Sequence, residues 1–121
     1  MKKILIVEDD SFLQGLAATK LGHEGYEVKT ASNGDEAIKI ISEAPLDMIL
    51  LDLVLPGTDG YAVLEKVRAN PAMANTPIIV FSNLAEDKDI KRAQEYGIKE
   101  FLIKSNFTLD ELVSKIKALI G

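Results

Sequence analysis

Met48-Ile49-Leu50-Leu51-Asp52 constrains this chain more than any other stretch. The apolar run is too short for a free-standing helix, lies between Pro45 and Pro56-Gly57, and ends in a carboxylate. Such a segment reads as a strand buried on both faces of a parallel sheet. Aspartate suits a strand interior poorly and is costly to bury unpaired. Asp52 therefore belongs at the strand's carboxyl end, where open α/β sheets bind their ligands.

Comparable runs recur along the chain. Residues 4–7 lead at once into Glu8-Asp9-Asp10, residues 26–31 alternate Tyr26, Val28 and Thr30 as a half-exposed edge strand does, residues 78–81 end at Ser82-Asn83, and residues 100–103 end at Lys104. Helical signals separate them. Ser11 and Gln14 have capping-box spacing for a helix running to about Leu21, and Asp9 or Asp10 is the alternative cap. Asn33-Gly34 opens a helix with Ala37, Ile38 and Ile41 inward, and Asp59 caps one with Val63, Leu64 and Val67 inward. Residues 86–96 predict a fourth helix with Ile90 and Ala93 inward, stopped by Gly97. Thr108 with Glu111 forms a capping box for a last helix built on Leu112, Val113, Ile116, Leu119 and Ile120. Five strands alternating with five helices predict a doubly wound five-stranded parallel sheet with helices on both faces. At 121 residues and 47% hydrophobic, residues 1–121 are expected to form one domain, with no residues left for an output domain.

Absent residue types narrow the chemistry. The chain has no cysteine, which excludes disulfides and thiolate metal sites. Its first apolar run stops at Glu8, too early for a secretory or membrane-spanning segment, so a cytoplasmic location is expected. Residues 1–60 carry 11 acids against 5 bases and residues 61–121 carry 8 against 9. That balance opposes non-specific nucleic-acid binding and suits a site that gathers carboxylates around a hard cation. His23 stands alone near a helix end and reads as a surface residue.

Parallel strands bring their carboxyl ends to one edge of the sheet. That edge is expected to collect Glu8, Asp9 and Asp10 from the first strand, Asp52 from the third, Ser82 from the fourth and Lys104 from the fifth. Crowded carboxylates repel unless a cation compensates, and an all-oxygen set without His or Cys suits Mg²⁺. Lys104 adds a point charge and Ser82 a hydroxyl donor. A carboxylate beside such charges is equipped to attack phosphorus as a nucleophile.

Over essentially its whole length the chain resembles the receiver domains of two-component response regulators. The resemblance is carried by Ile4-Leu5-Ile6-Val7-Glu8-Asp9-Asp10, Leu51 through Gly60, Val80-Phe81-Ser82-Asn83 and Phe101-Leu102-Ile103-Lys104. It implies a flavodoxin-like strand order 2-1-3-4-5. It also implies that Asp52 accepts a phosphoryl group from a phosphohistidine on a sensor histidine kinase or a histidine phosphotransfer protein. Asp9, Asp52 and the backbone carbonyl of Val54 would bind Mg²⁺ directly, and Glu8 through water. Lys104 would pair with the phosphoryl group, and Ser82 with Phe101 would form the switch. The implied output surface for a downstream protein is the fourth helix, fifth strand and fifth helix, with Lys88, Lys91, Arg92, Glu95 and Lys99 as contacts. The implied assembly is a monomer or a weak phosphorylation-dependent dimer, with no direct DNA binding. Kinase docking is expected near Phe12, Leu13 and Leu16.

Several positions depart from the family pattern. Asn83 stands where Ala or Gly is usual, and its side chain is expected to cover part of Asp52 or contact the phosphoryl group, slowing small donors. Ser105 replaces a proline that usually follows the lysine through a cis bond. Either the bond is trans and the Lys104 loop is reshaped, or the site stores strain. Val54 and Leu84 are apolar where polar groups often position the hydrolytic water, which predicts a slowly hydrolysing phosphorylated form.

Two other functions fit poorly. A phosphohydrolase of the haloacid-dehalogenase type needs a second aspartate where Val54 stands. A nucleotide or flavin module would meet Glu8-Asp9-Asp10 where phosphate should sit. The remaining alternative is a receiver-like interaction domain phosphorylated poorly or not at all.

Overall fold

Each apolar run of the sequence becomes a strand in the computed structural model, which describes residues 1–121. The strands are β1 (Lys3–Val7), β2 (Glu27–Ala31), β3 (Met48–Leu51), β4 (Ile78–Ser82) and β5 (Glu100–Ile103). The helices are α1 (Ser11–His23), α2 (Gly34–Glu43), α3 (Gly60–Ala69), α4 (Asp87–Gln94) and α5 (Leu109–Ile120), with 3-10 turns at Pro71–Met73 and Lys104–Asn106. All strand pairs are parallel and the order is β2-β1-β3-β4-β5, as the resemblance implied. None of the helices is long and apolar enough to cross a membrane.

The period-two geometry of a strand sorts the core into two halves. Ile4, Ile6, Met48, Leu50, Ile79, Phe81 and Leu102 meet Ala17 and Leu21 of α1 and Leu112 and Ile116 of α5. Leu5, Val7, Ile49, Leu51, Ile78 and Val80 face the other way, toward Ala37 and Ile41 of α2, Val63, Leu64 and Val67 of α3 and Ala93 of α4. Because both sheet faces are covered, the central strands are continuously apolar. Within the sheet Val7 pairs with Leu51, and the Asp52 N–H donates to the Val7 carbonyl at 3.0 Å. Glu8 and Asp52 therefore leave the sheet side by side.

Three local expectations are corrected. Asp10, not Ser11, caps α1: its Oδ1 accepts from the N–H groups of Phe12 and Leu13 at 3.0 and 3.1 Å. A charged carboxylate one residue earlier reaches the same free amides and also meets the positive end of the helix. The Gln14 amide instead donates to the carbonyls of Glu8 and Ala31 at 2.8 and 3.2 Å and so braces the start of the acidic segment. The fourth helix is shorter than expected, and Asp89 rather than Ile90 joins Ala93 on its buried face. The cause is Tyr61, whose hydroxyl donates to Asp89 Oδ1 at 3.1 Å while the Arg92 guanidinium lies 3.8 Å from its ring centroid. Burial first, then Asp89, pushes the Tyr61 hydroxyl up to about 12. Asp89 Oδ2 is buried without a partner. The edge strand starts at Glu27, and Tyr26 is buried just before it.

Glycine lets the loop after Asp52 close on the helix that follows. A Cβ at Gly60 would lie 2.5 Å from Leu53 Cα and 2.9 Å from the Asp52 carbonyl oxygen, so backbone would have to move. Gly60→Ala is expected to lower stability by about 1–3 kcal/mol. Gly15→Ala, on the exposed side of α1 with nothing within 4 Å, is expected to raise it by about 0.5–1 kcal/mol through helix propensity. Chemical denaturation of both variants measures the contrast, and equal effects would refute the packing argument.

Candidate functional site

The carboxyl edge of the sheet brings together the residues the sequence predicted there. Asp52 is the first residue beyond β3 and is buried. Its Oδ1 accepts from Ser82 Oγ at 2.7 Å and from the Val54 N–H at 3.0 Å, and its Oδ2 accepts from Lys104 Nζ at 2.6 Å. Ser82 Oγ in turn accepts from the Leu84 N–H at 3.2 Å. The hydroxyl is thereby held with its proton toward Asp52.

Glu8 is buried beside Asp52. Its Oε1 lies 2.6 Å from Lys104 Nζ, and its Oε2 accepts from the Asp10 N–H at 3.1 Å. Lys104 thus bridges two carboxylates. Burial raises the Glu8 pKa above its usual value against the opposing pull of Lys104, because Ile6, Leu13, Leu50 and Phe81 among others form an apolar wall behind it. Burial alone would lower Lys104, but its hydrogen bonds to Asp52 and Glu8 outweigh it and the ammonium titrates above its ordinary value.

Glu8, Asp9 and Asp52 each offer a carboxylate oxygen, and these atoms all lie within 4.8 Å of one another. Asp9 is exposed, and Asp10 is committed to its helix cap. Three carboxylates against one ammonium leave an excess of two negative charges. The all-oxygen set and that excess fit a hard divalent cation. Val54 contributes its N–H to Asp52, and its side chain is exposed at the cleft. Phe101 is half-buried in β5, pairs with Val80, and packs on the α3 and α4 side of the sheet. His23 is exposed in the last turn of α1, as expected.

The two unusual loop residues meet each other. No peptide bond in the chain is cis, so the Lys104-Ser105 bond is trans and the loop is reshaped into a 3-10 turn. The side-chain oxygen of Asn83 accepts from the Ser105 N–H at 3.1 Å. Neither this contact nor the Gln14 brace was read from the sequence. The only signal for the first was two departures, each one residue past a site residue.

A family model described as "Response regulator receiver domain" matches residues 4–117. The chain is 39% identical over 118 residues to the transcriptional regulatory protein ResD of Bacillus subtilis, covering 98% of this chain and 48% of that protein. It spans about half the length of the curated relatives it matches. Among solved structures it superposes on a CheY-like response regulator receiver domain protein of Methanospirillum hungatei with a TM-score of 0.92 at 27% identity, covering 99% of this chain and 94% of the other. It also superposes on the receiver domain of sensor histidine kinase PA1611 of Pseudomonas aeruginosa, solved with a magnesium ion coordinated in its active-site cleft. There the TM-score is 0.86 at 30% identity, with 99% and 98% covered.

The raised pKa of Glu8 means that its ionised form opposes folding in the metal-free protein. That effect is present at neutral pH and vanishes as pH falls below the unfolded-state value of 4.5. Glu8→Gln is therefore expected to match or exceed the parent in thermal stability in chelator at pH 7, with the difference lost near pH 4. The same variant is expected to bind a divalent cation about tenfold more weakly by calorimetric titration. A variant destabilised at pH 7 in chelator would contradict the burial argument.

Proposed function

Because the chain belongs to the response regulator receiver domain family, we propose that Asp52 is its phosphoacceptor, charged by a phosphohistidine of a sensor histidine kinase or a histidine phosphotransfer protein. The observation that carries this reading is the arrangement at Asp52, a buried carboxylate held by Ser82 Oγ at one oxygen and Lys104 Nζ at the other. A carboxylate oxygen of Asp52 forms the bond to phosphorus. The phosphorus–nitrogen bond of the donor breaks, and its electron pair returns to the imidazole ring. Lys104 and Ser82 then donate to phosphoryl oxygens in place of the carboxylate they hold at rest. Asp9, Asp52 and the Val54 carbonyl, with Glu8 through water, would hold Mg²⁺, which would supply positive charge against those oxygens. In this way the domain assists its own phosphotransfer.

Donor access and signal output follow from the same cleft. Phe12 is 75% exposed and Leu16 is 40% exposed on α1. An apolar pair standing in solvent next to the acidic segment suits docking of a donor protein, with Leu13 behind it. Phosphorylation of Asp52 draws Ser82 toward the phosphoryl group, and Phe101 turns inward into the space released. The readout surface within this chain is α4, β5 and α5, where Lys88, Lys91, Arg92, Glu95 and Lys99 are exposed. A downstream protein is the partner there, and the domain is monomeric or dimerises weakly when phosphorylated. A cytoplasmic location suits both the acid-rich site and the kinase-borne donor.

Intact mass after incubation with acetyl phosphate tests the reading. One adduct is expected that needs Mg²⁺, is labile to hydroxylamine, and is absent from Asp52→Asn. If neither acetyl phosphate nor a panel of phosphorylated histidine proteins modifies the parent, the domain acts by interaction alone. Once formed, the adduct is expected to persist, because exposed Val54 and half-buried Leu84 offer no polar side chain to hold a hydrolytic water. Its decay, followed by mass over time, should run well beyond the turnover of fast chemotaxis receivers; decay as rapid as theirs would refute the assignment of Val54 and Leu84.

A further inference from the structure

We propose that Asn83 is a positioning residue for phosphoryl acceptance, clasping the loop that follows Ser82 to the loop that carries Lys104. The inference rests on Asp52 being the acceptor.

The two donors that hold Asp52 come from different strands. Ser82 ends β4 and Lys104 follows β5, and the last paired residues of these strands are Ser82 and Ile103. Past that rung no backbone hydrogen bond joins the two loops. The one hydrogen bond between them runs from the Ser105 N–H to the side-chain oxygen of Asn83 at 3.1 Å. It adds to the Ser82–Ile103 rung a tie between the two loops, whose Ser82 Oγ and Lys104 Nζ must both reach the same carboxylate at 2.7 and 2.6 Å.

The local chemistry explains why an amide is needed. Lys104–Asn106 is a 3-10 turn, and the first N–H groups of such a turn have no partner within it. Its own capping position is Ile103, whose side chain cannot accept a hydrogen bond. Asn83 supplies the missing acceptor from across the sheet edge, 22 residues away in sequence. A proline at 105 would have no N–H to give, and alanine or glycine at 83 would have no oxygen to receive it. The two residues thus form a matched pair. The bond also fixes the amide orientation, with oxygen toward Ser105. The partners of the Asp52 carboxylate are Ser82, Val54 and Lys104, and Asn83 is not among them. Both Asn83 and Ser105 are exposed, so the bond adds little to global stability while fixing local geometry.

The experiment compares the parent with Asn83→Ala, Ser105→Pro, the double variant and Ser105→Ala. Adduct formation at Asp52 is followed by intact mass over a series of acetyl phosphate concentrations at saturating Mg²⁺. Losing the clasp from either side is expected to lower the maximal rate about fivefold, the scale of one net hydrogen bond. The half-saturating donor concentration and the melting temperature should stay near those of the parent. The double variant is expected to be no slower than either single one, and Ser105→Ala, which keeps the N–H, should match the parent. Amide exchange at Ser105 should accelerate in Asn83→Ala.

Other results overturn the proposal in distinct ways. Faster phosphorylation of Asn83→Ala with Ser105→Pro unchanged would make Asn83 a cover over Asp52. Additive losses would separate the two residues. Unchanged exchange at Ser105 would show that the bond is not made. Variants that all match an active parent defeat the clasp alone, whereas a parent that takes no phosphoryl group defeats the Asp52 reading and the clasp with it.

Discussion

Like-charge crowding at one end of the sheet is the constraint on which the rest of this structure turns. Carboxylate oxygens of Glu8, Asp9 and Asp52 within 4.8 Å of one another repel by roughly 3 kcal/mol per ionised pair at an effective dielectric of about 20. Lys104 offsets part of that by standing 2.6 Å from both Glu8 and Asp52. The remaining excess of negative charge is what makes the cleft selective. An all-oxygen cluster with that excess charge suits a hard cation and repels an anion.

That crowding is sustained by the sheet. Val7 and Leu51 share a rung, so the chain has no choice but to release Glu8 and Asp52 next to each other. The helices hold the released loops in place. Asp10 caps α1, Gln14 fastens the Glu8 carbonyl, and Gly60 allows α3 to press against the backbone of Asp52 and Leu53. Each of these is a short-range contact made by a residue that contributes no charge to the cluster, Asp10 having spent its carboxylate on the helix.

The parts of this arrangement legible in the sequence were those governed by periodicity and by local capping chemistry. Continuous apolar runs marked the strands because helices cover both sheet faces, and Asn33, Asp59 and Thr108 marked helix starts because their side chains bond amides three residues on. Strand ends then brought Glu8, Asp52, Ser82 and Lys104 to one edge. What escaped was long-range or ambiguous. Ser11 and Asp10 compete for one helix terminus, and only the geometry decides between them. Asp89 gave no signal in the sequence, because its partner Tyr61 lies 28 residues earlier. Asn83 and Ser105 were each visible as departures, yet nothing in one dimension says that one receives the other's proton.

Arg68 was also unremarked in the sequence, and it closes the opposite pole. Its Nε donates to the Tyr96 carbonyl at 2.6 Å, Nη1 to those of Met73 and Thr76 at 3.3 and 2.9 Å, and Nη2 to that of Gly97 at 3.1 Å. The planar guanidinium fork is what makes this possible, and a lysine ammonium could not reproduce it. The turn leaving α4 is thus riveted to α3 and to the entrance of β4, while the opposite tip of α4 hangs from the loop after Ser82. Eight residues of helix span about 12 Å between these ends. Tyr61, also on α3, holds Asp89 in the first turn of α4, so both ends of that helix are fastened to the same neighbouring helix.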